Sequence, residues 1–201
     1  MNSKQRVLLF EPYHNMPSDH DAPPLGLLYL ASYLRRKGDI DVGIIHMASS
    51  NTQYEDLSQT IKKYQPDWIG ISAITFESNG LHRIAAIAKS VKPDLPVVAG
   101  GPHVSAYTQK VMGDSNIDYA VIGEGELTTD DLAQALRSNG QVDHIDGLAW
   151  KEHDAIRINP RQRYVEDIDA LPFPAWDLID IPSYTKFGRM SRIGVKNYMG
   201  I

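Results

Sequence analysis

Five short apolar runs alternate with stretches of helical periodicity along the first 140 residues of the chain. The runs predict strands at residues 7–10, 42–45, 68–72, 96–99 and 119–122. The remaining stretches predict helices at residues 24–34, 54–64, 81–91, 104–112 and 127–136. Strands joined through helices of this length lie parallel, with right-handed crossovers and helices on both faces. We therefore predict an α/β fold with a doubly wound, five-stranded parallel sheet of order 2-1-3-4-5 over residues 1–140.

The pattern changes after Gly140. Residues 147–151 and 155–158 flank a short polar turn and predict a β-hairpin. The proline-rich residues that follow show no clear period, so residues 141–182 are predicted to form the hairpin and a linker or wrap-around arm. Residues 183–201 are expected to begin a further domain. From Tyr184 onward the chain is basic with few apolar anchors, which predicts a segment held poorly without a partner.

Composition argues against several classes of protein. The net charge is −5, the pI is near 5.8 and the basic residues are mostly scattered, so no nucleic-acid partner is expected. The longest apolar stretch is too short to span a bilayer and no secretion signal precedes the first strand, so we expect a cytoplasmic protein without a membrane span. The chain has no cysteine, which excludes disulfides and cysteine-ligated zinc or iron–sulfur clusters within it.

Two glycine turns follow the fourth and fifth predicted strands. They read Gly100-Gly101-Pro102-His103 and Gly123-Glu124-Gly125-Glu126. In a parallel α/β sheet, ligands bind in the crevice outside the carboxyl ends of the strands. Glycines there allow a ligand to approach the backbone closely. The two turns therefore predict one face of a single binding site.

Four stretches in order along the chain, residues 23–31, 66–72, 98–103 and 118–126, resemble the cobalamin-binding N-terminal domain of cobalamin-dependent radical S-adenosylmethionine enzymes. Residues 145–149, 158–161 and 168–177 are similar to the hairpin and linker that lead toward the catalytic barrel in that family. The resemblance implies a Rossmann-like or flavodoxin-like domain that presents cobalamin to a downstream radical S-adenosylmethionine barrel. The reactions it implies are methyl transfer, the commoner of the two, or oxidative cyclisation.

Two departures from the family pattern shape the cofactor prediction. Many cobalamin carriers supply a histidine ligand from an Asp-x-His-x-x-Gly loop after the first strand, and residues 11–21 do not fit that spacing. Cobalamin is therefore expected base-off, without a histidine ligand. The family's Cys-x-x-x-Cys-x-x-Cys loop is also absent because the chain has no cysteine. The [4Fe-4S] cluster and S-adenosylmethionine are thus expected only in a downstream domain.

The resemblance implies a cofactor site made of Leu25, Gly26, Ser72, Ala73, Ile74, Thr75, Gly100, Gly101, Pro102, His103, Gly123, Glu124, Gly125 and Glu126. Several roles have a simpler alternative. The Ser72 hydroxyl either bonds the buried tail base of the cofactor or satisfies a local turn. Gly100 and Gly101 either leave a channel for the tail, which a side chain would occupy, or form an ordinary tight turn.

The turn at residues 123–126 and the histidines can also be interpreted in more than one way. Gly123 and Gly125 are expected to bring backbone amides to the corrin periphery. Glu124 and Glu126 either accept hydrogen bonds from corrin amides or, for Glu126, simply stabilise the first turn of a helix. His103 either contacts the tail or a phosphate, or is an exposed loop residue. His14 and His20 match no defined metal-ligand spacing, so no metal site is predicted.

Two other functions compete with cobalamin binding. The fold alone also fits a non-catalytic, flavodoxin-like docking or regulatory module that has lost the cofactor. A nucleotide or flavin binder is less favoured, because no Gly-x-Gly-x-x-Gly follows the first strand and no phosphate-binding P-loop is present.

Overall fold

The computed structural model of the protein describes residues 4–13, 22–153 and 155–185. Its strands are β1 (Gln5–Glu11), β2 (Ile40–His46), β3 (Trp68–Ser72), β4 (Val97–Gly100), β5 (Tyr119–Val121), β6 (Leu148–Glu152) and β7 (Ala155–Ile158). Within the described residues they form one seven-stranded sheet of order β2-β1-β3-β4-β5-β6-β7. The first five strands in chain order pair in parallel, whereas β6 and β7 pair antiparallel with their neighbours.

Helices cover both faces of the sheet. They are α1 (Leu25–Arg35), α2 (Met47–Ser50), α3 (Tyr54–Tyr64), α4 (Ser78–Val91), α5 (Pro102–Ala106), α6 (Thr108–Met112), α7 (Glu126–Ser138) and α8 (Ile181–Thr185). Short 3₁₀ turns lie at Thr75–Glu77, Ile168–Ala170 and Trp176–Leu178. Apolar residues of α1 and α7 form one buried cluster with the sheet, and those of α3 to α6 form the other. The predicted doubly wound α/β architecture is confirmed. None of the helices in the described ranges is long and apolar enough to cross a membrane.

Alternation along the central strands explains how one sheet serves two cores. In β3, Ile69 and Ile71 pack toward α3 and α4, whereas Trp68 packs toward α1 and α7. Successive side chains of a strand point to opposite faces, so a strand buried on both faces is apolar throughout. This explains why the central strands are continuous apolar runs in the sequence.

The sheet is larger than the predicted five strands. The parallel order 2-1-3-4-5 is present, but the hairpin of β6 and β7 extends the same sheet instead of standing apart from it. Leu148 and Ala149 of β6 are fully buried beside β5. A three-residue β5 at the edge would leave backbone groups unpaired, and β6 supplies their hydrogen-bond partners.

The predicted helix at residues 104–112 is divided in two. Tyr107 leaves the helical conformation at φ −129° and ψ 35°, and it separates α5 from α6. The hydroxyl of Thr108 donates to the carbonyl of Val104 across this break, at 2.8 Å. The other predicted helices agree with the structure to within a few residues at each end.

An arm after β7 runs back over α1. The Ala175 amide donates to the Leu28 carbonyl at 3.1 Å, and Arg35 pairs with Asp177 at 2.8 Å. The arm ends in α8, where the Tyr184 hydroxyl lies 2.8 Å from His46 Nδ1 and 2.6 Å from Ser49 Oγ. The expectation that the chain is poorly held from Tyr184 onward is wrong for Tyr184 itself, which is buried. Residues 186–201 of that segment lie outside the described residues.

Asp130 of α7 ties the end of α1 to α7. Its buried carboxylate accepts hydrogen bonds from Arg36 at 2.7 Å and from Lys37 at 3.1 Å. Burial by itself raises the pKa of Asp130, but the hydrogen bonds and charges of the two basic residues outweigh it and lower the pKa below 3.8. The ionised carboxylate of Asp130 therefore stabilises the folded state.

Replacing Asp130 by Asn should lower the free energy of unfolding by about 1–3 kcal/mol at neutral pH, because Arg36 and Lys37 lose their charged acceptor. The pKa of Asp130 is lower in the folded state than its ordinary value of 3.8. The stabilisation by its carboxylate is therefore complete above pH 3.8 and is lost as the pH falls from there through the folded pKa. Denaturant unfolding at neutral and acidic pH measures both effects.

Asp131→Asn is the matched control. The pair that Asp131 forms with Arg163 is 36% and 51% exposed, so its loss should change stability by less than about 1 kcal/mol. Equal effects of the two variants at neutral pH would contradict the role given to Asp130.

Candidate functional site

A cavity of about 260 Å³ opens at the carboxyl ends of β3, β4 and β5, beneath the first turns of α1 and α7. Its walls are mainly apolar. They are formed by the side chains of Leu9, Leu27, Leu30, Trp68, Val98 and Val121, whereas Ile71 and Ala99, also in the lining, belong to the cluster on the opposite face of the sheet. The position agrees with the crevice in which parallel α/β sheets bind ligands.

Most of the predicted site residues line this cavity. Those that do are Gly26, Ser72, Gly100, Gly101, Pro102, Gly123, Glu124, Gly125 and Glu126. Their part in binding stays a prediction. The lining also includes Thr129, one turn into α7, and Gly70 in the middle of β3, which were not predicted. The period of two along a strand is the signal that was available for Gly70 and Val98, since each lies two residues before a predicted site residue.

Missing side chains keep the cavity open. A Cβ atom added at Gly100 or at Gly26 would meet no protein atom within 4 Å. Both positions line the cavity, so any larger residue there would project into unfilled space. At Gly70 the situation differs, because a Cβ atom would lie 2.6 Å from Leu9 Cδ2. Gly70 therefore allows Leu9 to pack against the sheet.

Gly101 has a structural role that Gly100 does not share. Its φ is +93°, and a Cβ atom there would lie 2.9 Å from both the nitrogen and the oxygen of Ala73. The expectation that a side chain at Gly101 would occupy the channel is corrected, because it would meet the backbone after β3 instead. Only glycine satisfies both the left-handed conformation and this close approach.

Ser105 joins the two glycine turns directly. Its hydroxyl donates to the Gly101 carbonyl at 3.2 Å and accepts a hydrogen bond from the Gly123 amide at 2.9 Å. The first bond is a local serine-to-backbone contact within a helix turn. The second spans 18 residues of sequence, and no local signal predicts it. The turns after β4 and β5 are thus one connected unit.

The second turn is also held from outside the sheet. Gly123 has a φ of +79°, and the Arg161 side chain from the arm packs against it. Glu124 Oε2 lies 3.1 Å from Arg161 Nη2, so this carboxylate already has a cationic partner in the protein. Gly125 precedes α7 and provides no side chain to cap its first amides, which begin at the edge of the cavity.

Five predicted site residues do not line the cavity. They are Leu25, Ala73, Ile74, Thr75 and His103. Ala73 is buried in the cluster on the opposite face of the sheet. Ile74 and the nearby Phe76, shortly after β3, are exposed apolar residues.

His103 is buried instead of exposed. Its Nδ1 lies 3.3 Å from Thr75 Oγ1, and its ring lies against Tyr107. Burial lowers the pKa of His103, and the neighbouring His82 and Lys110 lower it further, which favours the neutral imidazole. His14 and His20 lie outside the described residues. Within the described ranges, no group of His, Asp and Glu side chains is arranged to hold a metal ion.

The sequence matches a known family over more than half of its length. Residues 17–133 of the 201 match the family described as the B12 binding domain. The chain belongs to the B12-binding domain family. The matched range contains both glycine turns and the start of α1. This membership confirms the resemblance drawn from the four sequence stretches.

Two relatives illustrate the similarity in sequence. The uncharacterized methyltransferase PH0819 of Pyrococcus horikoshii is 36% identical over 83% of this chain and 36% of its own length. The anaerobic magnesium-protoporphyrin IX monomethyl ester cyclase of Rubrivivax gelatinosus is 28% identical over 96% of this chain and 36% of its own. The chain therefore spans about a third of these relatives.

A solved structure shows the same fold. It is that of the cobalamin-dependent S-adenosylmethionine radical enzyme OxsB with aqua-cobalamin and S-adenosylmethionine bound. The TM-score is 0.80 at 22% identity, and the match covers 92% of this chain and 25% of that one. A match over 92% of the chain covers more residues than 1–158 contain, so the similarity extends past β7.

The two neighbouring glycines should respond differently to alanine. Gly101→Ala is expected to lower the free energy of unfolding by about 1–3 kcal/mol, because the backbone conformation and the contact with Ala73 become strained. Gly100→Ala should change it by less than about 1 kcal/mol, since the new methyl group enters open space. Chemical denaturation of both variants measures the difference. Equal stability would show that Gly101 is not required by the turn.

Proposed function

We propose that this chain binds cobalamin base-off, with the nucleotide tail of the cofactor in the cavity between the sheet and the first turns of α1 and α7. The observation that carries the proposal is the cavity itself, which is kept open by Gly26 and Gly100. All of its lining residues except Leu9 lie within the family-matched range. The apolar walls suit a flat aromatic base, and the hydroxyls of Ser72 and Thr129 provide polar groups beside it.

The positions of the histidines support a base-off cofactor. Among the described residues, the cavity lining contains no histidine. His46 is hydrogen-bonded to Tyr184, and His103 lies against Thr75 and Tyr107. If the tail base lies in the cavity, it cannot also coordinate the cobalt, because one base cannot occupy both positions.

The residues of this chain bind and orient the cofactor. The cavity excludes water from the tail, and the turns at Gly100 and Gly123 allow the backbone to approach it. The exposed apolar side chains of Ile74 and Phe76 follow directly after β3 and would provide a surface for the corrin ring. Bound cobalamin supplies a cobalt centre that accepts and donates methyl groups or electrons.

We propose further that the domain serves a larger radical S-adenosylmethionine enzyme, most simply a methyltransferase. The names of the relatives, a methyltransferase and a cyclase, support these two reaction classes. A [4Fe-4S] cluster and S-adenosylmethionine would be held by a downstream barrel, because this chain has no cysteine to ligate a cluster. The division at residues 140 and 182 and the cytoplasmic location stay predictions.

The protein should bind hydroxocobalamin or methylcobalamin and shift the visible spectrum of the alkyl form to the shorter wavelengths typical of base-off cobalamin. Titration followed by absorbance measures both affinity and coordination. No binding at about a millimolar cofactor would favour the alternative of a docking or regulatory module without cofactor. A base-on spectrum in the bound state would contradict the position proposed for the tail.

Filling the cavity should block binding. Gly100→Leu places its side chain where no protein atom lies within 4 Å of the new Cβ, so the fold should survive while the tail loses its space. We expect cobalamin affinity to fall at least about tenfold, equivalent to roughly 1.4 kcal/mol. Ala86→Leu, which adds the same side chain on an exposed position of α4, is the control. Unchanged affinity of Gly100→Leu with a native circular dichroism spectrum would place the tail elsewhere.

A further inference from the structure

We propose that Arg161, in the arm that follows β7, is a positioning residue of the cofactor site. It lies outside the family-matched residues 17–133 and does not line the cavity. It acts through the turn of Gly123, Glu124 and Gly125, which does line it. The inference rests on the cobalamin-binding function proposed above.

The Arg161 guanidinium holds this turn at three points. Nη1 donates to the Ile122 carbonyl at 2.9 Å and also to the Glu124 carbonyl. Nη2 donates to Glu124 Oε2 at 3.1 Å. The Arg161 side chain is only 8% exposed, but that of Glu124 is 50% exposed, so water partly screens the ion pair. One planar group thus connects the end of β5 to both the backbone and the side chain of the turn.

Gly123 provides the space for this contact. A Cβ atom at Gly123 would lie 2.9 Å from Arg161 Cδ and 3.2 Å from Nε. Two features therefore require glycine at position 123: its φ of +79° and the Arg161 side chain that packs on it. The cavity lies on one side of the turn and Arg161 packs on another.

The arm is fixed on both sides of Arg161. Asn159 Nδ2 donates to the carbonyls of Asp143 and Ile145, at 2.8 Å each. The Asp146 carboxylate accepts hydrogen bonds from the backbone amides of Gln162 and Arg163 at 2.9 Å. Arg161 is consequently presented to the turn by a backbone that is itself held to the loop before β6.

The charges around the turn indicate the role of Arg161. Two carbonyl oxygens and one carboxylate oxygen converge on the guanidinium. Without the cation these oxygens would repel one another, which disfavours this conformation of the turn. The ion pair adds little net stability, because solvent screens the half-exposed Glu124 and desolvation of the buried guanidinium opposes the attraction. Within the described residues Arg161 Nε has no hydrogen-bond partner, which adds to that penalty. The role that remains is to fix the geometry of the turn.

The test compares Arg161→Gln with Arg163→Gln in the full chain. The Arg163 side chain lies two residues along the same arm, is half exposed and contacts Asp131 of α7, away from the turn. We expect Arg161→Gln to weaken hydroxocobalamin binding at least about tenfold, as loss of a supporting partner does at other cofactor sites. Hydrogen exchange at the amides of residues 123–125 should become faster. Arg163→Gln should leave both measurements unchanged.

Three outcomes would overturn this inference. They are unaltered binding and exchange in Arg161→Gln, an equal loss of binding in Arg163→Gln, and a loss of binding with unchanged exchange at the turn. Arg161→Lys serves if the glutamine variant does not fold. Lysine keeps the charge but lacks the planar fork, so it should recover only part of the affinity.

Failure of the proposed function itself is distinguishable. If the unaltered protein does not bind hydroxocobalamin, the cofactor proposal is overturned, and this inference with it. If the unaltered protein binds and Arg161→Gln binds equally well, only the role of Arg161 is overturned.

Discussion

The close approach of Gly101 to the backbone of Ala73 is the constraint from which the site is built. Just past the paired strands, the Ala73 amide donates to the Gly100 carbonyl, and the Ala73 carbonyl accepts from the His103 amide, each at 3.1 Å. β3 and β4 therefore stay joined until the chain turns into α5. The helix then places Ser105 where its hydroxyl reaches the Gly123 amide. The shape of the turn after β5 depends in this way on the shape of the turn after β4.

The cavity combines this rigid edge with positions that lack side chains. Gly26 on α1 and Gly100 on β4 leave space, while Trp68, Val98 and Val121 provide well-packed walls below it. Unfilled apolar space lowers the stability of a folded protein. A ligand that fills such space gains from the burial of apolar surface and stabilises the folded state. The stability of the site and its affinity for a ligand are therefore linked.

The arm makes the site depend on residues well beyond the matched domain. Asn159 attaches it to the loop before β6 and Arg161 to the turn after β5. Ala175 attaches it to α1, and Tyr184 attaches it to the end of β2. The arm thereby contacts elements that lie on both sides of the cavity.

Local patterns in the sequence were enough to predict the elements and the location of the site. Apolar runs predicted the strands, helical periodicity predicted α1, α3, α4 and α7, and glycines at strand ends marked the edge where the cavity lies. The resemblance to a family added the cofactor. These signals succeed because they reflect periods of two and 3.6 residues and the steric freedom of glycine, which act over short distances along the chain.

Only the tertiary structure decided how distant segments meet. It joined the hairpin to the sheet, gave Gly100 open space but Gly101 a backbone contact, and brought Arg161 to a turn 39 residues earlier in the sequence. It also buried Tyr184 against His46, although the sequence around Tyr184 indicated a loosely held segment. Such contacts depend on the relative positions of packed elements, and no local period in the sequence records those positions.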